Sequence, residues 1–373
     1  MITETTVARI PILELIGTPY QRGCQHGESL ARKIRAQLDW NNQNVVTRRL
    51  GMPRIETFLE AIHERIAAAA PDYLEEMRGI ADGASMRLLD VVRLNSRLEL
   101  AIGSMPINAG RVFGAVGCTS FAMNGDVSAD GDTFLGQNYD LSGDMPPHWL
   151  SVPTRHHGRA MIHTFPGWLG ATGMNSHGLA LVINSLCPDD SRVGVPYPVL
   201  VRQALDERNM CDLLGVLLRS ERAIGMNYVV GDAREVVDLE TSATESDVHF
   251  ATDGYLFHTN HIISDVLKPH DQYRRPPSTG LASSTVRYAR FGRLMRAAVR
   301  EGKVTLDRVA GFMSDHVNYP DAICCHEPEE GEFPQKTHVP GGTAFSVVYK
   351  PGTGEAFATN AHPCRSPLQR YAV

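Results

Sequence analysis

The stretch that decides the fold is GCTSFAMNGDVSADGDTFLGQNYDL, residues 117–141. Two strand-like runs, CTSFAMN and TFLGQNYDL, flank the segment SADGDT, and the Asp-Gly pair in that segment is a strong hairpin signal. The residues before this stretch have a helical pattern. Residue 117 therefore separates a mainly helical part of the chain from a part dominated by hairpins.

Working outward, residues 20–103 are predicted to be helical, because apolar residues recur at helical spacing and Pro71 interrupts the pattern. Beyond the first hairpin, helical blocks at 198–222 and 284–317 alternate with further hairpins. These hairpins turn at Ser176-His177-Gly178, at Gly231-Asp232 and within 343–360, and a strand leading into a loop is predicted at 255–262. Hairpins separated by helical blocks favour antiparallel sheets covered by helices. The sequence predicts one α+β domain over residues 1–373.

Composition excludes several classes of protein. The chain has 373 residues, 43% of them hydrophobic, and a net charge of −6, so it lacks the basic surface of a nucleic-acid binder. We expect no membrane span, because no apolar run is long enough, and no signal peptide at MITETTVARIPILELIG. An odd, scattered set of cysteines fits a reducing compartment, and a cytoplasmic location is predicted. The cysteines are Cys24, Cys118, Cys187, Cys211, Cys324, Cys325 and Cys364.

The pair Gly117–Cys118 suggests a nucleophile. If the peptide bond before Cys118 were cut, its free α-amine, with a reference pKa of about 7.7–8.0, would lie beside its own thiol and could act as the general base. The same thiol could make the cut through an N-to-S acyl shift and hydrolysis of the thioester. Gly117 suits this step because it has no side chain to block attack. The pair alone does not distinguish this nucleophile from a structural cysteine.

Further motifs follow in a specific order along the chain. They are YQRGCQHGESL (20–30), GCTSF (117–121), GQNYDL (136–141), GMNSHGLALVINSL (173–186), FHTNHI (257–262), SSTVRYARF (283–291) and TAFSVVYKP (343–351). Together they resemble the acyl-coenzyme A:6-aminopenicillanic acid acyltransferases, also called isopenicillin N acyltransferases, and their bacterial relatives. This family resembles self-cleaving members of the N-terminal nucleophile (Ntn) hydrolase superfamily, close to penicillin V acylase and bile salt hydrolase. The resemblance covers most of the chain and implies a four-layer αββα sandwich of two antiparallel sheets between helical layers.

The resemblance also implies site residues. Cys118 would be the nucleophile and Gly117–Cys118 the autocleavage site. A mainly helical α segment (1–117) would then stay associated with a β segment (118–373). Asp140 matches a carboxylate near the nucleophile's amine, Asn260 matches an oxyanion-hole asparagine, and Arg287 matches a site arginine.

Supporting positions follow from the same match. Asn184 matches an asparagine of the second hairpin, and Tyr139 stands where the family often has Trp. A nearby hydroxyl is either Ser284 or Thr285, and the sequence does not choose between them.

Each of these residues also has a structural alternative. Asp140 could cap a turn, and Asn184 and Asn260 could satisfy backbone groups at strand ends. Arg287 begins a run at helical spacing, which is typical of a solvated helix face and could also grip the phosphates of coenzyme A. The other arginines of that run are Arg290, Arg293, Arg296 and Arg300.

No metal site and no cofactor are expected, although a coenzyme A thioester stays open as a co-substrate. His258 with His261, and the run Cys324-Cys325-His326, invite a zinc interpretation. Residues three apart on a strand point to opposite faces, however, and the chain has no C-x-x-C pair.

The sequence therefore predicts a self-processing cysteine enzyme. It would cleave or transfer the acyl group of a small N-acyl substrate, acting on a linear C–N amide bond through a Cys118 thioester. The alternatives are an acyl-CoA-dependent N-acyltransferase and a catalytically inactive binding protein on the same fold. The sequence leaves open whether the protein forms a homo-oligomer.

Overall fold

The structure, a computed structural model, describes residues 9–103, 117–141, 145–272, 274, 279–327 and 341–373. The predicted helical block at 20–103 is confirmed as a series of helices. They are α1 (Pro19–Gln43), α2 (Val45–Leu50), α3 (Met52–Ala69), α4 (Pro71–Ala84), α5 (Leu88–Asn95) and α6 (Arg97–Gly103). Pro71 separates α3 from α4 and is the first residue of α4, where its missing N–H leaves no helical hydrogen bond unmade. Residues 1–8, and residues 114–116 directly before Gly117, lie outside the described part of the chain.

The strands are distributed along the whole described part of the chain. They are β1 (Ile12–Glu14), β2 (Cys118–Met123), β3 (Phe134–Leu141), β4 (His148–Pro153), β5 (Arg159–Thr164), β6 (Thr172–Asn175), β7 (Ala180–Ser185), β8 (Met226–Gly231), β9 (Val236–Thr241), β10 (Ser246–Phe250), β11 (Tyr255–His258), β12 (Gly342–Lys350), β13 (Glu355–Ala358) and β14 (Gln369–Ala372). Across the described residues they form two sheets. The larger has the order β1-β4-β5-β6-β7-β8-β9-β10, and the smaller has the order β11-β2-β3-β12-β13-β14.

The predicted hairpins β2–β3, β6–β7, β8–β9 and β12–β13 are all present and antiparallel. The larger sheet departs from the predicted antiparallel arrangement at one edge, where β1 runs parallel to β4. The hairpin β4–β5 was not predicted. Its strands are buried on both faces, so their sequences lack the polar–apolar alternation that marks a half-exposed strand.

The two later helical blocks each contain two helices rather than one. They are α7 (Tyr197–Ala204) and α8 (Met210–Arg219), then α9 (Thr279–Glu301) and α10 (Leu306–Met313). Asn209 and Thr305 begin α8 and α10 by accepting a hydrogen bond from a backbone N–H of the first turn. The breaks therefore arise from capping residues inside otherwise helical patterns.

Helices cover both outer faces of the sheet pair. The side chains of α1, α3, α4 and α5 join the main core with the larger sheet, as Ile34, Leu94 and Phe165 illustrate. On the other side, α9 and α10 bury Phe291 and Phe312 against Phe121 of the smaller sheet. The predicted four-layer αββα sandwich is confirmed. No helix in the described residues is long and apolar enough to cross a membrane.

Candidate active site around Cys118

Gly117 and Cys118 lie where β2 begins. Cys118 is the first residue of β2 and pairs with Tyr139 of β3. The ladder continues one residue further back, because the backbone N–H of Asp140 donates a hydrogen bond to the Gly117 carbonyl oxygen (2.9 Å). The peptide bond before Cys118 is therefore fixed in position, with a donor already on its carbonyl oxygen.

Asp140 is a buried carboxylate beside this peptide bond. The Thr343 hydroxyl of β12 donates to Oδ1 (2.6 Å), while Oδ2 has no hydrogen-bond partner among the described residues. A Cβ on Gly117 would lie 2.7 Å from Oδ2, so a larger residue here would have to displace the carboxylate. Burial raises the pKa of Asp140 to about 7 and outweighs the opposing effects of Arg287 and Thr343. Asp140 can therefore exchange a proton near neutral pH.

Asn260 lies just after β11 and contacts Cys118 through its side-chain oxygen. Oδ1 accepts hydrogen bonds from the Cys118 backbone N–H (2.9 Å) and from Nη2 of Arg287 (2.8 Å). Two donors on one atom identify that atom as the amide oxygen. The Nδ2 group donates instead to the backbone oxygen and the hydroxyl of Ser185, at 3.1 Å each. In the uncleaved chain the donor on the Gly117 oxygen is the Asp140 amide, and the oxyanion role of Asn260 stays a prediction.

Arg287 reaches the same point from α9. It is buried, and Nη1 donates to the Cys118 carbonyl oxygen (2.6 Å) and to the Thr119 hydroxyl (3.0 Å). The guanidinium therefore holds the backbone of Cys118 and the amide oxygen of Asn260. It does not hydrogen-bond Asp140 in the described structure, and it does not belong to a solvated helix face.

The rest of the arginine run behaves differently. Arg290 pairs with Asp315 (2.5 Å), and the other members of the run are exposed: Arg293, Arg296 and Arg300. The run is thus not one continuous face. Any phosphate-binding role would fall to those three exposed residues.

The structure shows which of Ser284 and Thr285 supplies the hydroxyl near Asn260. Ser284 is buried, accepts a hydrogen bond from the Asn260 backbone N–H (2.8 Å) and lies 2.8 Å from Nδ1 of His261. Thr285 is exposed, and its hydroxyl donates back to carbonyl oxygens of α9 itself. Because one residue turns a helix by about 100°, only Ser284 faces Asn260.

Asn184 and Tyr139 lie in the interior around the site. Asn184 Oδ1 accepts from the Ser120 hydroxyl (2.5 Å), which bridges the two sheets. Alternate strand residues share a face, so Asn184 lies on the side of β2 to which Cys118 points. Its Nδ2 has no hydrogen-bond partner among the described residues. The Tyr139 hydroxyl lies 3.1 Å from that of Tyr197, and its ring stacks on Phe345.

The Cys118 thiol is protonated in this setting. Its side chain is buried, and burial together with the Asp140 carboxylate raises its pKa to about 12. The backbone amides of Asp140 and Ser185, and the charge of Arg287, act in the opposite direction. Attack by this thiol at neutral pH needs a base, and the Asp140 carboxylate, whose charge acts on Cys118 and whose pKa is about 7, is the candidate for that role.

His258 supports the loop that carries Asn260. Its Nε2 lies 2.7 Å from Oε1 of Glu240, and its Nδ1 lies 2.8 Å from the Thr259 oxygen. Glu240 also accepts hydrogen bonds from the backbone N–H groups of Ile263 and Ser264. Both ring nitrogens of His258 are occupied, so His258 and His261 do not form a metal-binding pair.

Sequence reasoning missed Thr343 and Ser185. Thr343 was seen only as part of the closing hairpin, and it reaches Asp140 because β12 pairs with β3 with a register shift just after Thr343. Ser185 ends β7 and meets Asn260 across the sheet pair. Neither position carries a sequence signal for these contacts.

Comparison with known proteins places the chain in a family. A family model described as acyl-coenzyme A:6-aminopenicillanic acid acyl-transferase matches residues 127–334, more than half of the chain. The chain belongs to this acyltransferase family. The matched range includes Asp140, Asn184, Asn260 and Arg287 and begins after Cys118.

A relative extends the similarity to both sides of Cys118. The 40 kDa form of the acyl-coenzyme A:6-aminopenicillanic-acid acyltransferase of Emericella nidulans is 26% identical over 339 residues. The match covers 89% of this chain and 87% of the relative. Residues 118–373 alone are too few for that coverage, so the similarity includes residues before the Gly117–Cys118 bond.

Solved structures show a more distant similarity. The conjugated bile acid hydrolase of Clostridium perfringens matches 69% of this chain and 97% of its own, with 11% identity and a TM-score of 0.45. Penicillin V acylase from Agrobacterium tumefaciens matches 65% of this chain and 82% of its own, with 13% identity and a TM-score of 0.44. Similarity at this level carries no information on substrate.

Proposed function

We propose that this protein is a self-processing cysteine enzyme that cuts its own Gly117–Cys118 bond and then hydrolyses or transfers the acyl group of a small N-acyl substrate. The observation that carries the proposal is the pair of hydrogen bonds around that bond. The Gly117 carbonyl oxygen accepts from the Asp140 amide, and the Cys118 N–H donates to Asn260. Family membership supports acyl chemistry, and the geometry supports Cys118 as its centre.

The cut proceeds by attack of the Cys118 sulfur on the Gly117 carbonyl carbon. Asp140 takes the thiol proton, and the negative charge that develops on the Gly117 oxygen is stabilised by the Asp140 backbone N–H. The C–N bond then breaks, and the departing amine of Cys118 receives the proton from Asp140. Water hydrolyses the resulting thioester, which leaves a Gly117 carboxylate, a free Cys118 thiol and a free α-amine.

Turnover repeats this chemistry on an external substrate. The Gly117 carbonyl marks the position for a substrate carbonyl, since the Asp140 amide N–H is a donor at that point. Asn260 Oδ1 orients the new α-amine, Arg287 holds the Cys118 carbonyl, and the amine acts as the base for the thiol. A thioester forms on Cys118 as the substrate amine leaves, and the acyl group passes to water or to an acceptor amine.

The test is the Cys118→Ala variant, compared by intact-protein mass spectrometry with Cys187→Ala. Both cysteines are buried and free, so the two variants lose similar packing. We expect the natural chain and Cys187→Ala to yield two fragments that meet between Gly117 and Cys118, and Cys118→Ala to stay whole and inactive. A Cys118→Ala chain that still splits there would show that another group makes the cut.

Acyl transfer is the second candidate, because the Emericella relative is an acyltransferase by name. Supplying an acyl-CoA and an acceptor amine should give amide product if the protein transfers acyl groups. Free acid alone under the same conditions would favour the hydrolase. Replacing the exposed Arg293, Arg296 and Arg300 together would then raise the KM for acyl-CoA only if these residues bind its phosphates.

An inactive binding protein on this fold is the remaining alternative. Cys118, Asp140, Asn260 and Arg287 are all present and, as the contacts above show, joined around one peptide bond. Iodoacetamide labelling of purified protein distinguishes the cases, because an activated Cys118 should react faster than Cys187. Equal rates for the two thiols would favour the inactive protein.

A further inference from the structure

A cluster of two cysteines and two histidines lies on either side of the Cys325 contact with Thr343, outside the hydrogen bonds around the Gly117–Cys118 bond. His316 follows α10, Cys324 and His326 lie in the loop after it, and Cys364 lies between β13 and β14. One ligand atom from each residue lies within 4.8 Å of every other. Three separate segments of the chain therefore direct nitrogen and sulfur atoms to one point.

The distances from His326 to the other three ligand atoms are close to those around a tetrahedral ion. Nε2 of His326 lies 3.0 Å from Nε2 of His316, 3.4 Å from Sγ of Cys324 and 3.5 Å from Sγ of Cys364. Ligands held at zinc–nitrogen and zinc–sulfur bond lengths in a tetrahedron are separated by about 3.4 Å for two nitrogens and about 3.6 Å for a nitrogen and a sulfur.

Hydrogen bonding alone does not account for the arrangement. A histidine ring nitrogen either donates one hydrogen or accepts with one lone pair, both in the ring plane. Three partners around Nε2 of His326 exceed that capacity. A shared cation at the centre would satisfy all four groups together.

We propose that His316, Cys324, His326 and Cys364 form a structural zinc site. Two thiolates and two imidazoles in a tetrahedron select Zn²⁺ over Mg²⁺ or Ca²⁺, which prefer oxygen ligands. Cys324 and His326 are buried, while His316 and Cys364 reach the surface, so the ion has a route of access. This proposal replaces the sequence-based expectation of no metal site. Sequence spacing could not join Cys364 to the other three ligands, because it lies far from them along the chain.

The ion would also stiffen the support of Asp140. Cys325, between two of the ligands, donates its backbone N–H to the Thr343 hydroxyl (3.0 Å) and accepts from the Thr343 N–H (2.9 Å). The same hydroxyl holds Asp140. Directly before Cys324, the Ile323 oxygen accepts from Nδ2 of the buried Asn138 (2.8 Å). The site would thus anchor the loop that positions Thr343.

The test measures metal binding in the full chain carrying Cys118→Ala, which removes the nucleophilic thiol and keeps the result independent of self-cleavage. Reduced protein, expressed with zinc supplied, is analysed by elemental mass spectrometry and then titrated with Zn²⁺ against a chromophoric chelator. Co²⁺ substitution gives a second readout through the visible bands of tetrahedral thiolate coordination. The variant is Cys364→Ser, and the matched control is Cys211→Ser, because both cysteines are exposed.

We expect one equivalent of zinc in the parent and in Cys211→Ser, and affinity at least about tenfold weaker in Cys364→Ser. Zinc should raise the melting temperature of the parent and not that of Cys364→Ser. Equal binding by all three proteins, or no binding of Zn²⁺ or Co²⁺ by the reduced parent, would overturn the proposal. So would a Cys324–Cys364 disulfide found by peptide mapping as the native state of these two thiols.

Discussion

Asp140 and Glu76 are both buried carboxylates, but their surroundings differ. Glu76 of α4 is held at both oxygens, by Arg202 of α7 (2.8 and 3.2 Å) and by Arg22 of α1 (3.1 and 3.2 Å). Asp140 has one hydrogen bond, from Thr343, and a second oxygen with no partner among the described residues. Burial acts to raise the pKa of both groups, but the two arginines reverse it and leave the pKa of Glu76 below its usual range. The pKa of Asp140 rises to about 7.

The difference separates a structural charge from a reactive one. Glu76 fastens three helices of the outer layer, and α1 packs so closely on α4 that a Cβ on Gly23 would lie 2.0 Å from the Glu76 carbonyl oxygen. A fully paired carboxylate of this kind cannot exchange protons near neutral pH. The incomplete pairing of Asp140 costs stability and leaves a group that can accept and return a proton.

The largest expected effect is on the cut itself, in Asp140→Asn. Asparagine keeps the size and the backbone N–H of Asp140 but cannot take the thiol proton, so splitting should slow by about 10²–10⁴-fold. The rate is followed by denaturing mass spectrometry after refolding or cell-free synthesis. Asp238→Asn is the matched control, because Asp238 is another buried carboxyl, with a pKa raised by burial to about 6, on β9.

Stability provides a second readout for Asp140→Asn, with the opposite sign. The folded pKa of Asp140 lies above its unfolded value of about 3.9, so its contribution to stability is lost as pH rises toward 7. With Cys118→Ala present to keep the chain whole, Asp140→Asn should raise the melting temperature at pH 8 and change it little at pH 4. A variant that is less stable at pH 8 would mean that the Asp140 carboxylate is structural, like Glu76.

The next effect concerns Glu76→Gln, which leaves Arg202 buried without its charge partner. Removing one member of a buried ion pair destabilises a protein by about 3–5 kcal/mol. Because the pKa of Glu76 is lowered, its stabilisation is present above the unfolded value and lost as pH falls. The loss, measured by thermal melts, should therefore be large at pH 7 and smaller at pH 4. Glu75→Gln, one residue away and half-exposed, should change stability by less than about 1 kcal/mol.

The sequence predicted the parts of this comparison that depend on local pattern. The Asp-Gly signal predicted the hairpin β2–β3, in which the structure pairs Cys118 with Tyr139. The family resemblance pointed to Asp140, Asn260 and Arg287, whose roles stay predictions. The choice between Ser284 and Thr285 was left open by the sequence, and the structure makes it by burying Ser284 and exposing Thr285.

The remaining features depend on contacts between distant segments. Thr343 meets Asp140 only through the pairing of β12 with β3, and Cys364 reaches His326 only through the turn after β13. The arginine run on α9 is regular in sequence, but its members have different surroundings. Arg287 is buried and donates to the Cys118 oxygen, Arg290 forms an ion pair, and the later arginines are exposed. Burial of one side of α9, rather than spacing, decides which arginine contacts Cys118.

The smallest expected effect is a shift in pH dependence in Thr343→Val. If Asp140 is the base, splitting should accelerate as pH rises through about 7 and level off above it. The Thr343 hydroxyl stabilises the ionised form of Asp140, so its loss should raise that pKa and move the midpoint upward by about one to two pH units. The measurement is the rate of splitting of freshly refolded chain across pH 5–9, about two units either side of the Asp140 pKa of about 7.

Thr359→Val distinguishes this positioning role from a general loss of packing. Thr359 is equally buried, and its hydroxyl likewise accepts from a backbone N–H, that of Ser346, while donating to the Ala361 oxygen rather than to a carboxylate. Its substitution should lower stability without moving the midpoint. If both variants shifted the midpoint equally, or if Thr343→Val lowered the plateau rate at an unchanged midpoint, the pKa of Asp140 would not control the cut, and the contrast with Glu76 would be one of packing alone.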